Sequence, residues 1–477
     1  LSMEVEEYLR SYPIDGVVLL ANCDKSVPGS LMGAISTDLP TIMFTAGARP
    51  VAEFRGKPIG TGTDLWRMWS DYRAKKISEE TWKEFEGCLN CGLGSCNTMG
   101  TASSVAMMVE ALGLTLPGTS VIPENNPARK VAAFNSGREI VKMVKNQVIP
   151  SKVLTPAAFR NAMRVLHACG GSTNAIIHLL AISGRIEGGL TLGAINELGT
   201  GLAVIADVEP SGAKLIQDFN QAGGLPALIA NCGENFELDE RTLIGKSWRE
   251  IVKGISPTNK TIRKLDDPIY PSAAFAVVKG NLAPNGAVIK VSAASKELLS
   301  HTGPAVVFHG YADMRSRIDD PTLNITKDSV LVLRDCGPVG VPGMPEWGMI
   351  PVPKNLIEAG VIDMVRISDA RMSGTSFGTC VLHISPESAV GGPLALVKDG
   401  DQIKLDVSSG SLELLVDNGE LEKRKLNWQA PVSEHLRGWP ALYQAHVMQA
   451  DLGCDLDFLR PKNKIERRFV PPIVGRS

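Results

Sequence analysis

Apolar residues along this chain fall into two kinds of run. In the first half, short continuous apolar stretches alternate with longer ones whose apolar positions recur three and four residues apart. Residues 1–13 read as an amphipathic helix, 16–22 (GVVLLAN) as a buried strand, 23–30 as a turn, 31–39 as a short helix and 40–48 as a second strand. Strand, loop, helix and strand in that order predict a parallel α/β sheet. The same order puts Cys23, Asp24 and Lys25 just past the carboxyl end of a strand, where open α/β sheets keep their ligands. Further on, 96–113 reads as a loop entering a helix of small residues. Residues 124–147 and 156–168 read as helices, and GGSTN (170–174) as a loop leading into a helix at 175–183.

The pattern changes near 265, where LDDPIYP has the turn chemistry of a boundary. Short strands follow at 273–280, 287–293, 304–310, 329–335 and 361–369, then a hairpin of 402–407 and 411–416 around a Ser-Gly turn. Many short strands between Gly and Pro turns predict a β-barrel. The expected fold is therefore α/β, with a parallel α/β domain over 1–265 and a barrel domain over 266–477. No stretch approaches the roughly 20 apolar residues of a membrane helix. The first residue is not Met, so the chain reads as lacking its natural beginning and a targeting segment would not be visible. The expected compartment is intracellular, cytoplasmic or mitochondrial.

Composition narrows the chemistry. Across 477 residues, 49 Lys and Arg against 51 Asp and Glu give a net charge of −2, which argues against a nucleic-acid surface. The 47 glycines imply many tight turns and close backbone approaches. Nine scattered cysteines, an odd number, suit a reducing compartment with some metal use better than a disulfide scaffold. Cys88, Cys91 and Cys96 contain half of a zinc-ribbon set, but no second half exists, so buried thiols near a turn are the better reading. Cys23 and Asp24 offer a soft and a hard metal ligand side by side, although Asp-Lys is more often an ordinary turn ion pair. The loop 337–348 carries one acid, Glu346, and 366–379 sets Ser373 beside Gly374. No histidine lies near Ser373 in sequence to build a charge relay. The seven histidines, at 167, 178, 301, 309, 383, 435 and 446, form no ligand-spaced pair and read as core or surface.

From CDKSVPGSLMGA (23–34) onward the motifs are specific. With GSCNTMGTA (94–102), GGSTN, DVEPSG (207–212), GGLPA (223–227), KGNLAPNGAVIK (279–290), GPVGVPGMPE (337–346), SDARMSGTS (368–376) and 383–401, the chain resembles one dehydratase family. That family includes dihydroxy-acid, phosphogluconate and aldonate dehydratases, and the resemblance covers nearly the whole chain. It implies an α/β domain followed by a swivel-like barrel, and loss of water from a 2,3-dihydroxy acid to give a 2-keto-3-deoxy acid. It also implies a 2Fe–2S cluster and Mg2+, with Cys23 and Cys96 as cluster thiolates and Asp24 and Glu346 as magnesium ligands. By the same resemblance Lys25 is a lysine open to carbamylation, Ser373 the base, working as an alkoxide, and Thr375 a substrate-orienting residue. The family takes a third cysteine and another acidic ligand from upstream of the CDK segment, so the chain as written is expected not to hold a complete cluster. Ser368 stands where the signature usually has Thr. GSCNTMGTASS and the tail 438–459 resemble the aldonate, and within it the pentonate, branch. The runner-up substrate is that of branched-chain amino-acid biosynthesis, and a non-catalytic binding member is the alternative of another class. By analogy the chain is expected to form a homodimer or homotetramer, acting on a small acid, with no nucleic acid and no membrane.

Overall fold

The structure is a computed structural model and describes residues 1–186, 188–347 and 349–461. Two strands, β1 (Val17–Ala21) and β2 (Thr41–Thr45), pair in parallel from Val17 opposite Thr41 to Ala21 opposite Thr45. Among the described residues they form a two-stranded sheet, and a small hairpin, β3 (Ala52–Phe54) with β4 (Lys57–Ile59), lies apart. The rest of this half is helical. Helix Thr101–Ala111 is buried on every side, because its Ala and Ser residues let helices Cys23–Thr37, Pro156–Cys169 and Thr173–Arg185 approach closely. Leu31, Ile35, Met107, Phe159, Leu166, Ile176 and Leu180 fill the shared core.

Sequence and structure differ at 23–30. These residues begin the helix Cys23–Thr37 instead of forming a turn before it. The segment holds Pro28, but a proline this near the start removes one helical bond, the one to the Asp24 carbonyl, and the helix continues. The kink in the path falls earlier, where extended Asn22 is followed by Cys23 at φ 71°.

The second half is a closed barrel of β5 (Phe275–Gly280), β6 (Ala283–Lys290), β7 (Ser300–His309), β8 (Val330–Arg334), β9 (Arg366–Ser368), β10 (Cys380–Ser385), β11 (Gln402–Asp406) and β12 (Ser411–Leu414). Its strand order is β10-β6-β5-β12-β11-β7-β8-β9, and the parallel pair β9–β10 closes it. Val278, Ile289, Val307, Val332, Ile367, Val381, Ile403 and Leu412 pack in one core. Phe308, Leu331, Leu333, Met364 and Leu382 form a second cluster with residues of helix Gly310–Arg317. The strand read at 361–369 is only three residues long. β10 was not anticipated: all six of its residues are buried, so it lacks the alternation that marks a half-exposed strand.

The end of the described chain returns to the helical half. Arg185, 1 % exposed, donates from Nε and Nη2 to the two carboxylate oxygens of Asp455 at 2.5 and 2.8 Å, and also reaches Ser36 and Ser2. A buried bidentate pair costs much desolvation, so removing one partner is worse than losing a contact. Asp455→Ala is expected to destabilise the protein by about 3–5 kcal/mol, read as a lower unfolding midpoint in denaturant; an unchanged midpoint would contradict the strap.

Candidate active site

The first turn of helix Cys23–Thr37 faces loops of the barrel half. Asp24 lies in that turn, near the positive end of the helix dipole. His178 Nε2 donates to its Oδ1 at 3.0 Å and the Arg371 guanidinium pairs with its Oδ2. Burial pulls the Asp24 pKa up, but these two donors outweigh it and hold the carboxyl well below its usual range. Lys25 Nζ donates to the carbonyls of Gly343 and Met344 at 2.5 and 2.7 Å, tying the helix to the 337–347 loop. Burial and the Arg371 charge hold the Lys25 pKa below that of a free lysine.

The two candidate thiols share this electrostatic environment. Partial burial raises the Cys23 pKa, and the charges of Cys96, Asp24 and Glu346 raise it further. Burial also raises the Cys96 pKa, against Arg49 and a hydrogen bond with Thr61. Asn97 fixes the neighbouring turn, its Oδ1 accepting from Thr61 N and Oγ1 at 2.7 and 2.9 Å. Cys88 packs beside a small apolar cluster with Phe85, and Cys91 donates to the Pro50 carbonyl at 3.1 Å.

Glu346 arrives on the 337–347 loop, which bridges to the backbone of Arg371. Glu387 anchors this loop by accepting from Val339 N and Gly340 N at 2.9 Å each, and Trp347 stacks on Tyr311 at 4.7 Å. Glu346 Oε2 lies 3.9 Å from Arg371, so one guanidinium spans both carboxylates. Burial and the Asp24 charge raise the Glu346 pKa, while Arg371, the Gly374 amide and the Ser373 hydroxyl oppose the rise.

Ser373 sits in a loop clasped by the helical half. Asn174 Nδ2 donates to the Met372 carbonyl at 2.8 Å, and the hydroxyls of Thr101 and Ser172 meet at 2.9 Å beside it. A Cβ on Gly374 would fall 2.6 Å from Ser172 Oγ and 2.8 Å from Thr101 N, so only glycine admits this approach. The GGSTN segment thus acts as a clamp for the Ser373 loop. Ser373 Oγ lies 2.7 Å from Thr375 Oγ1, which also accepts from Trp66 Nε1 at 3.1 Å.

The structure therefore gathers Cys23, Asp24, Lys25, Cys96, Glu346, Ser373 and Thr375 at the junction between the halves. Three further residues, Arg371, His178 and Trp66, were not singled out from sequence. Arg371 is inside the SDARMSGTS signature, and His178 follows Asn174 by four residues, which puts both on one helix face toward the junction. Among the described residues no three His, Cys, Asp or Glu side chains stand ready as a metal group. The donor chemistry nevertheless fits in pairs: the Asp24 and Glu346 carboxylates share one guanidinium and are oxygen donors suited to a hard cation, and the Cys23 and Cys96 thiols lie in electrostatic reach of each other. Among the described residues no helix is long and apolar enough to cross a membrane.

Barrel-half loops carrying a serine and an acid, docked on a thiol, an acid and a lysine at a helix start with a second thiol nearby, suit an enzyme of the lyase class. Residues 1–251 match the profile for the dihydroxy-acid/6-phosphogluconate dehydratase N-terminal region and 260–454 that for its C-terminal region. The chain is 45% identical to a 6-deoxy-6-sulfo-D-gluconate dehydratase of Pseudomonas putida, over 99% of this chain and 82% of that protein. It is 45% identical to an L-arabinonate dehydratase of Rhizobium leguminosarum bv. trifolii, over 96% and 80%. Identity to a dihydroxy-acid dehydratase of Methanoregula boonei is 36%, over 95% and 81%. The chain belongs to the dihydroxy-acid/6-phosphogluconate dehydratase family, and it is a dehydratase, a hydro-lyase.

Overpacking the clamp tests the junction. Gly374→Ala is expected to cost about 1–3 kcal/mol of stability and to lower turnover with it, measured by denaturant unfolding and by keto-acid formation. A variant as stable and active as the parent would refute the close approach.

Proposed function

We propose that this chain dehydrates a sugar acid, a pentonate first among candidates, to the 2-keto-3-deoxy acid, with an iron–sulfur cluster and Mg2+ as cofactors. The observation that carries the chemistry is the Ser373 loop set against the Glu346 carboxylate, the Gly374 amide donating to Glu346 Oε1 at 3.2 Å, with Arg371 bridging Glu346 to Asp24. The choice of a sugar acid rests on the 45% identity to relatives named for aldonates, against 36% to one named for dihydroxy acids.

Two barriers oppose the reaction: the C2 proton is barely acidic beside a carboxylate, and hydroxide leaves C3 poorly. Bound cofactors would supply Lewis-acid chemistry, easing loss of the C2 proton and departure of the C3 hydroxyl. Cys23 and Cys96 are the thiols that would hold the cluster, and Asp24 and Glu346 the oxygens for the dication. Lys25 would join them as a carbamate, formed when its neutral amine adds CO2 and releases a proton; its depressed pKa favours that amine. His178 and Arg371 hold the Asp24 carboxylate in one orientation. Ser373, as the alkoxide, removes the C2 proton; the electron pair forms the C2–C3 double bond as hydroxide leaves and is protonated to water. The resulting enol tautomerises to the keto acid. An alkoxide base needs positive charge in its site; Arg371 is the cation this chain contributes there.

The complete enzyme, handled without oxygen, is to be offered a pentonate, a hexonate, a 6-sulfo-hexonate and 2,3-dihydroxyisovalerate side by side. Keto acid from a sugar acid, strongest with the pentonate, is the expected result. Preference for dihydroxyisovalerate would establish the branched-chain reading instead. Ser373→Ala is expected to lower kcat by about 10²–10⁴ while sparing cluster colour; loss of colour would make the serine structural.

A further inference from the structure

The reaction just described leaves open what holds the Ser373 oxygen ready to take a proton from carbon. Trp66, on helix Thr63–Arg73, comes from the helical half and is 309 residues away from Thr375 in sequence. An indole N–H can only donate, so Thr375 Oγ1 receives the Trp66 hydrogen at 3.1 Å. In the neutral pair the 2.7 Å contact between the Thr375 and Ser373 hydroxyls can run either way. Once Ser373 is the alkoxide its oxygen carries no hydrogen and only accepts, so the link then runs from Thr375 to Ser373. A second donor to the same oxygen is the Thr375 amide, at 3.3 Å.

The surroundings fix this arrangement. Thr375 is 4 % exposed, and a Cβ on Gly62 or Gly100 would come within 2.6 Å of its Cβ or 2.8 Å of its Cγ2. Two glycines of the helical half therefore wall the threonine into one rotamer. Trp66 is held in turn by its amide, which donates to the Gly62 carbonyl at 3.0 Å, and Asp64 accepts from Gly60 N at 2.7 Å.

We propose that Trp66 and Thr375 are positioning residues for proton abstraction: a one-way relay, indole N–H to Thr375 hydroxyl to Ser373 oxygen, that orients and stabilises the base. This rests on the reading of Ser373 as the base. As an alkoxide the serine oxygen has three lone pairs. Thr375 engages two of them through its hydroxyl and its amide, and the third is left to take the C2 proton. Donors already in place where charge resides cost no reorganisation at the moment of reaction. The relay also makes the base dependent on docking, because the indole and the serine belong to different halves of the molecule.

The test uses the complete, cofactor-loaded enzyme and whichever sugar acid the parent dehydrates, in unlabelled and C2-deuterated form. Trp66→Phe keeps the ring and removes the donor. It is expected to lower kcat about tenfold, leave KM within about twofold and enlarge the C2-deuterium isotope effect, because proton removal becomes the slower step. Thr375→Val is expected to lose about a hundredfold in kcat, with Thr375→Ser restoring most of it. If Trp66→Phe does not fold, the Thr375→Val and Thr375→Ser pair carries the same comparison. An unchanged kcat and isotope effect in Trp66→Phe would overturn the relay. So would a rise in KM alone, which would make Trp66 a substrate contact. Ser373→Ala runs beside them: if it keeps full turnover, the reading of the base has failed and not the relay.

Discussion

Asp24 and Arg371 face each other across the junction from positions 347 residues apart, and both are nearly out of solvent. A buried ion pair of this kind adds little net stability, since desolvation consumes most of its attraction. Its effect is on specificity of docking: either charge left alone in that environment is strongly unfavourable, so the halves meet in the one register that pairs them. The same guanidinium reaches Glu346, which brings the 337–347 loop into that register. Lys25 on the Gly343 and Met344 carbonyls and Asn174 on the Met372 carbonyl complete the fit. The candidate site exists only as a consequence of docking, because Asp24, Cys23 and Cys96 belong to one half and Glu346 and Ser373 to the other.

Small residues make this closeness available. Gly374 lets its loop rest against the starts of two helices, at Thr101 and Ser172, and Gly62 and Gly100 enclose Thr375. Where side chains would ordinarily separate two domains, backbone meets backbone and the polar groups bond directly across the gap. This closeness also sets the Glu346 carboxylate within reach of the Asp24 charge, which raises the Glu346 pKa.

Much of this was legible in sequence, for reasons that differ by residue. Strands β5 to β8, β11 and β12 show as apolar runs between Gly and Pro turns. β10 does not, because wholly buried residues carry no alternation. The helix at Cys23 does not show as one, because its first eight residues carry no apolar stripe, and Pro28 in its second turn removes only a single bond. Cys23, Asp24, Lys25, Cys96, Glu346, Ser373 and Thr375 stood out through the motifs that contain them. Arg371, His178 and Trp66 act through partners 347, 154 and 309 residues away, and such pairings leave no local pattern. Only the four-residue step from Asn174 to His178 hinted at a shared helix face.

The central claim is that acids from the two halves hold one dication between them. Calorimetric titration of the complete enzyme with Mn2+, repeated for Asp24→Asn, Glu346→Gln and the double variant, tests it most directly. Each single change is expected to weaken binding, and the double variant to be hardly worse than the weaker single one, as for two ligands of one ion. Losses that simply add, or a single variant binding as the parent does, would contradict it.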